Sequence, residues 1–299
     1  MKKTSVYLPE ALKERLAAAA GKNGRSEAQM IRLAVERMLA AETGAAAPIA
    51  RREDPVAARH QPGPLFTGVG VGPGDSGLVT LRAVEVLRAA DRVLAPSTSR
   101  SAVGRAEAIV RGAAPDVSVE RVPFVMEVDT DARAAAITAA AEQVVVHLDA
   151  GERVAFITLG DPNIYSTFSS VAEEVARLRP HVPVEVVPGI MAFQDLAARH
   201  GMALVDGPEH LVLAPAHAAG NHAAIEAAAA DPSAAIVIYK GGSRLAEVAK
   251  VLDEHGRLDD AVLGELLGLP GGRVVPVREA VDQPASYLAT VIVPPVRTS

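Results

Sequence analysis

From Leu65 onward, short runs of Val, Ile and Leu alternate with longer Ala-rich stretches. The runs are LFTGVGV, RVLAP, RVAFITL, VEVVPG, LVLAP, AIVIYK and, near the end, LATVIV. Short β-branched runs separated by helical stretches predict strands joined through helices, the pattern of an α/β fold with mainly parallel sheets. The stretches AAAITAAAEQ and AAIEAAAA read as helices, because Ala gives up no side-chain entropy in a helix. So many strands exceed one small sheet, and two α/β halves dividing near residue 180 are expected.

The first forty residues have a different rhythm. In TSVYLP, Thr4, Val6 and Leu8 fall on one face of a strand and Lys3, Ser5 and Tyr7 on the other. Pro9 ends that strand and opens a helix in which Leu12 and Leu16 stand one turn apart. Gly24 then stops this helix, and Ser26 with Gln29 forms the capping pattern of a second. One strand and two helices cannot bury a core alone, so a module over residues 1–44 is expected to pair with a second copy. The Pro-containing segment that follows reads as a linker over 45–64, leaving a body over 65–299.

Composition narrows the chemistry. Of the 299 residues, 49% are hydrophobic and 22% charged, which fits a globular chain rather than a disordered one. The absence of Cys excludes disulfides, thiolate metal sites and a cysteine nucleophile. The eight His are scattered without ligand spacing, so no metal is expected. No apolar run reaches the roughly 20 residues of a membrane span, and a cytoplasmic protein is expected. Residues 1–40 carry eight basic and four acidic side chains, whereas the remainder carries 22 and 32. A small basic module therefore adjoins an acidic body.

Three loops carry the candidate chemistry. The first, Gly68–Asp75, follows a strand, but it is a poor dinucleotide fingerprint. Pro73 stands where a pyrophosphate loop needs N–H groups, and the next strand lacks the terminal acid that would hold a ribose. The second is LGDPNIYSTF, residues 159–168, in which Gly160 permits close backbone approach and Asp161 and Pro162 enforce a turn. Its Tyr165, Ser166 and Thr167 present three hydroxyls. The third is VEVVPGIMAF, a strand entering Pro188-Gly189 at the start of a helix. Ligands of open α/β sheets bind at the carboxyl ends of strands, where all three loops fall.

In this order, GVGPGD, GDPNIYST and VPG followed by a helix resemble the tetrapyrrole methylase family over residues 65–299. YSTF, PFVMEVD and AIVIYKGG resemble its precorrin-2 C20-methyltransferase branch. The resemblance implies two α/β domains with S-adenosylmethionine in the cleft between them, and a homodimer. It implies methylation of precorrin-2, or of cobalt-factor II, at C20 in cobalamin biosynthesis. Matched position by position, it implies cofactor contacts from Pro73, Leu159, Gly160, Asp161, Ile164, Met191, Ala192, Lys240 and Gly268. Met191 departs from the family's usual Thr or Ser. Tyr165 is the nearest hydroxyl to take the C20 proton. Arg100, Arg105 and Lys240 are the cations expected to meet substrate carboxylates, with Ser166 and Thr167 beside them.

Residues 3–40 resemble the ribbon-helix-helix DNA-binding family. That resemblance implies base reading by Lys3, Ser5 and Tyr7, and a phosphate clamp from Arg25 and Ser26 at a helix N-terminus. Three alternatives stand beside these expectations. The chain is a DNA-binding regulator whose body senses a tetrapyrrole or S-adenosylmethionine; or the body methylates another acceptor, such as peptide backbone amides; or the small module only dimerises.

Overall fold

The Val-rich run at Leu65 becomes strand β1 (Leu65–Gly70), buried along its whole length. Burial on both faces follows from its place inside a sheet of order β3-β2-β4-β1-β5. The other strands are β2 (Arg92–Ser97), β3 (Glu120–Pro123), β4 (Arg153–Thr158) and β5 (Val184–Val187). Every neighbouring pair is parallel. The crossovers are helices α1 (Leu81–Ala89), α2 (Arg105–Ala113), α3 (Thr130–Asp149) and α4 (Thr167–Leu178). Ala140, Val144 and Leu148 of α3 and Phe168, Val171 and Val175 of α4 pack with Phe66 and Phe156 in one core cluster. Leu87 of α1 and Ile109 of α2 pack with Val69 and Ile157 in another. Alternate residues of β1 and β4 thus serve the two faces of the sheet. The computed structural model describes residues 63–97, 103–124, 130–216, 221–286 and 288–297, with a few positions between Pro9 and Ile31.

The second sheet has the order β6-β7-β10-β8-β9, from β6 (His210–Pro215), β7 (Ala234–Tyr239), β8 (Val262–Glu265), β9 (Arg273–Pro276) and β10 (Thr290–Val293). Only β6 and β7 pair in parallel; β10 runs antiparallel to β7 and β8, and β8 to β9. The expectation of mainly parallel sheets therefore holds for the first sheet, while the second is mixed. The β8–β9 connection holds no helix and is shorter than the roughly dozen residues that a parallel crossover needs. The helices here are α5 (Ala192–His200), α6 (Asn221–Ala230), α7 (Leu245–Glu254) and α8 (Val277–Ala280). Ile225, Val248 and Leu252 of α6 and α7 cover one face. Leu196 and Ala197 of α5 pack against Val237, Val262 and Ile292 on the other.

The change from one half to the other falls after Val187, beyond the expected 180. Val184–Val187 pairs with β1 and belongs to the first sheet, whereas α5 packs on the second.

Candidate functional site

β4, β1 and β5 are neighbours in the first sheet, so the three motif loops leave it side by side. They meet as main chain. Val71 donates its N–H to the Thr158 carbonyl at 3.0 Å, and Gly160 donates to the Gly72 carbonyl at 2.9 Å. A β-carbon on Gly70 would stand 2.5 Å from the Gly160 carbonyl oxygen and 2.6 Å from the Gly189 nitrogen. Gly160 itself has φ +66°, and a β-carbon there would stand 2.9 Å from Met191 Sδ. No side chain but hydrogen fits this junction.

Asp161 fastens it. The side chain is 8% exposed. Its Oδ1 accepts the Asn163 N–H at 2.8 Å, and its Oδ2 accepts the Gly189 N–H at 3.0 Å. One carboxylate thus shapes its own turn and ties the Pro188-Gly189 loop to it. Met191, which brings no hydroxyl, precedes α5; its N–H donates to Gln194 Oε1 at 2.8 Å. Half of a capping box thereby replaces the hydroxyl cap that a Thr or Ser would offer.

The second half closes on this junction at two places. A β-carbon on Gly74 would strike the Leu267 carbonyl, and one on Gly268 (φ +71°) would strike the Asp75 backbone. Gly268 is therefore where the glycine loop docks across the halves. On the other side, the Tyr165 hydroxyl donates to the Leu213 carbonyl of β6 at 3.0 Å. The Tyr165 ring lies 6.0 Å from that of Tyr239, which lies 6.5 Å from that of Phe193. Burial raises the pKa of both Tyr165 and Tyr239. Among the described residues, Tyr165, Lys240 and Leu266 are the non-glycine positions with positive φ, at 50°, 56° and 50°. All three lie in loops after strand carboxyl ends, and such strain concentrates at ligand sites.

The remaining expected residues divide clearly. Pro73, Leu159 and Ile164 are half-buried, and Ile164 and Ala192 pack against the cluster of Met191, Phe193 and Tyr239. Lys240 is half-buried; burial, and secondarily the Arg133 guanidinium, push its pKa down. Arg105 starts α2 and reaches across the halves, its Nη2 3.5 Å from Ser286 Oγ. Thr167 begins α4.

Two expectations change. Ser166 is a helix cap: its Oγ accepts the Phe168 N–H at 3.1 Å and lies 3.0 Å from Thr158 Oγ1. Its hydroxyl is committed to local structure before any substrate arrives. Tyr165 does not suit the proton-acceptor role, because its hydroxyl already donates to a carbonyl and burial opposes its ionisation. Lys3, Ser5, Tyr7, Arg25 and Arg100 lie outside the described residues, and Ser26 is exposed. Among the described residues no cluster of three His, Asp or Glu is arranged to hold a metal. No helix among them is long and apolar enough to cross a membrane.

Sequence reasoning missed Tyr239, which the run AIVIYK presents only as the end of a strand. It also missed the clamp made by Asp161, since the partner amide belongs to a loop far along the chain.

The site geometry agrees with what the chain resembles. Residues 65–281 match the model of the tetrapyrrole (corrin/porphyrin) methylases. Residues 1–43 match that of a CopG-like or ribbon-helix-helix domain. The chain is 36% identical over 236 residues to the precorrin-2 C(20)-methyltransferase of Sinorhizobium sp, covering 76% of this chain and 94% of that protein. It is 30% identical over 227 residues to the cobalt-precorrin-2 C(20)-methyltransferase of Salmonella typhimurium, covering 74% and 92%. The structure of uroporphyrin-III C-methyl transferase from Thermus thermophilus, complexed with S-adenyl homocysteine, shares the fold. Its TM-score is 0.55 at 24% identity, over 78% of this chain and 98% of that one. The chain belongs to the tetrapyrrole methylase family.

Proposed function

We propose that this chain transfers the methyl group of S-adenosylmethionine to C20 of precorrin-2, or of its cobalt-bearing form, in cobalamin biosynthesis. The observation that carries the reading is the main-chain junction of Gly70, Gly160 and Gly189 beside a wall of Ile164, Met191 and Ala192. The two relatives named for C20 methylation, each spanned nearly end to end, support the choice of acceptor.

The residues fit such a cofactor. Main chain free of β-carbons lets a ligand approach closely, and the apolar wall suits its thioether and nucleoside parts. The cofactor supplies a sulfonium methyl that is already activated, so the protein's task is alignment and exclusion of water. Asp161 holds two of the loops in register, and Tyr165 links the first half to β6. Arg105 and Lys240 supply positive charge for a carboxylate-rich tetrapyrrole. The C20–methyl bond forms as the sulfur–methyl bond breaks, and the C20 proton leaves afterwards.

The test is incubation of the purified protein with methyl-labelled S-adenosylmethionine and precorrin-2. Label at C20 of the tetrapyrrole is expected. Calorimetry that detects no heat with either S-adenosylmethionine or its demethylated product overturns the reading.

The match of residues 1–43 to the ribbon-helix-helix model supports a second property. Two copies of the module would pair and bind DNA, Lys3, Ser5 and Tyr7 reading bases and Arg25 and Ser26 holding phosphate. Few phosphates are neutralised by one pair, so binding should be weak and strongly salt-dependent. Fluorescence anisotropy on a random duplex at low salt checks this. No binding there, with Lys3→Ala and Arg25→Ala indistinguishable from the parent, leaves the module as a dimerisation device.

A further inference from the structure

Tyr239 ends β7 directly before the strained Lys240, and it is 9% exposed. It shares an apolar cluster with Met191 and Phe193, against which Ile164 and Ala192 pack. These side chains surround the three-loop junction. Yet the Tyr239 hydroxyl, shielded from water, has no hydrogen-bond partner. The Phe193 main chain is near enough to oppose slightly the effect of burial on its ionisation, but does not reach hydrogen-bond geometry. A buried hydroxyl left unpaired is unfavourable, and in a native protein it calls for an explanation.

We propose that the Tyr239 hydroxyl is a ligand contact, donating a hydrogen bond to a neutral acceptor atom on the nucleoside part of the bound cofactor. This rests on the S-adenosylmethionine reading given above. Three observations favour the nucleoside over the tetrapyrrole. The hydroxyl lies among apolar side chains, where a single donor suits a ribose oxygen or purine nitrogen rather than a carboxylate. The candidate cations Arg105 and Lys240 are less buried than Tyr239, as a carboxylate-bearing substrate requires. The group also stays protonated across the neutral range, because burial raises its pKa, so it serves as a donor and not as a base. Tyr165, whose ring packs edge-on against Tyr239 and is 47% exposed on a left-handed backbone, is placed to yield as the space fills.

The test uses the full chain and its Tyr239→Phe variant, with S-adenosylhomocysteine as the probe. Calorimetry measures affinity, and denaturation of the free proteins measures stability. The expected result is affinity about tenfold weaker in the variant, the loss of one hydrogen bond, with a free-protein midpoint equal to or above the parent's. Equal affinities overturn this inference and leave the methylase reading intact, whereas a parent that binds neither the probe nor S-adenosylmethionine overturns that reading itself. A lowered midpoint shows that the hydroxyl is already partnered in the free protein, and also overturns the inference. A raised KM for precorrin-2 with unchanged probe affinity moves the contact to the tetrapyrrole and overturns the assignment to the nucleoside.

Discussion

In the first half, parallel pairing sends β4, β1 and β5 out of one sheet edge as adjacent strands, and their loops touch through glycine backbone. In the second half only β6 and β7 run in parallel, and the rest of the sheet folds back on itself. That half brings to the cleft the Leu213 carbonyl, the Tyr239 ring and the Lys240 side chain. A parallel sheet gathers its loops at one end and can build a site from main chain, whereas a mixed sheet contributes a wall built from side chains. The two halves should therefore differ in which changes they tolerate: backbone crowding should harm the first, and loss of side-chain atoms the second.

The largest effect is expected from Gly160→Val. A β-branched residue at φ +66°, facing Met191 Sδ at 2.9 Å, is strained and crowded together. Binding of S-adenosylhomocysteine should fall at least about 100-fold, taking the combined cost as roughly 3 kcal/mol. Gly241→Ala is the matching change in the second half. Gly241 has φ −81°, and its nearest new neighbour would be Ile238 Cγ2 at 3.8 Å. Calorimetry should find that variant close to the parent. Equal sensitivity at both glycines breaks the comparison.

Asp161→Ala comes next. It removes two hydrogen bonds from a buried carboxylate to backbone N–H groups, worth about 3 kcal/mol together at the low end of their range. Affinity for the same probe should fall about tenfold to 100-fold, because the Pro188-Gly189 loop loses its tether. Asp161→Asn, which keeps acceptor capacity on one oxygen, should fall between the parent and the Ala variant.

These two positions also show how far the sequence could be read. The GDP turn was legible because Gly, Asp and Pro each have a local backbone reason to be there. The long, fully buried strands β1 and β7 were legible from their apolar runs. Strands β3, β8 and β9 were not, since each has four residues with no sustained alternation. The roles of Asp161, Tyr165 and Tyr239 depend on partners distant in the chain: an amide at Gly189, a carbonyl at Leu213, and rings at Tyr165 and Phe193. No local pattern encodes those pairings. Spacing could nominate the residues, but only packing could decide that Ser166 is a cap and Gly268 a docking point.

A smaller effect is expected from Tyr165→Phe, which removes the hydrogen bond to Leu213 and leaves the ring in place. Stability should drop by about 1 kcal/mol or less, since the residue is partly exposed. Burial raises the pKa of Tyr165 and Tyr239 above their unfolded value of about 10. Their protonated forms therefore contribute stability that is complete below about pH 10 and lost as pH rises through the folded values. Denaturation midpoints of the parent should fall on that alkaline side, and Tyr165→Phe with Tyr239→Phe should flatten the fall. A midpoint that declines equally steeply without both hydroxyls removes the tyrosines as its cause.

The smallest effect is expected from deleting residues 1–44. The family match to the methylases begins at residue 65, that to the ribbon-helix-helix domain ends at 43, and between them lies a segment rich in Pro and Ala. Each core cluster described here is composed of residues from Phe66 onward, so removal of the module takes no side chain from either sheet. The loops at Gly70, Gly160 and Gly189 and the wall at Tyr239 should remain as they are. Methyl transfer to precorrin-2 by the truncated chain should stay within about twofold of the parent, a difference below roughly 0.5 kcal/mol in barrier height. DNA binding at low salt, if the parent shows it, should disappear from the same preparation. A truncated protein that keeps its denaturation midpoint but loses methyl transfer would mean that pairing of the module holds two bodies in their active arrangement. The comparison between a main-chain half and a side-chain half would then have to include a second copy of the chain.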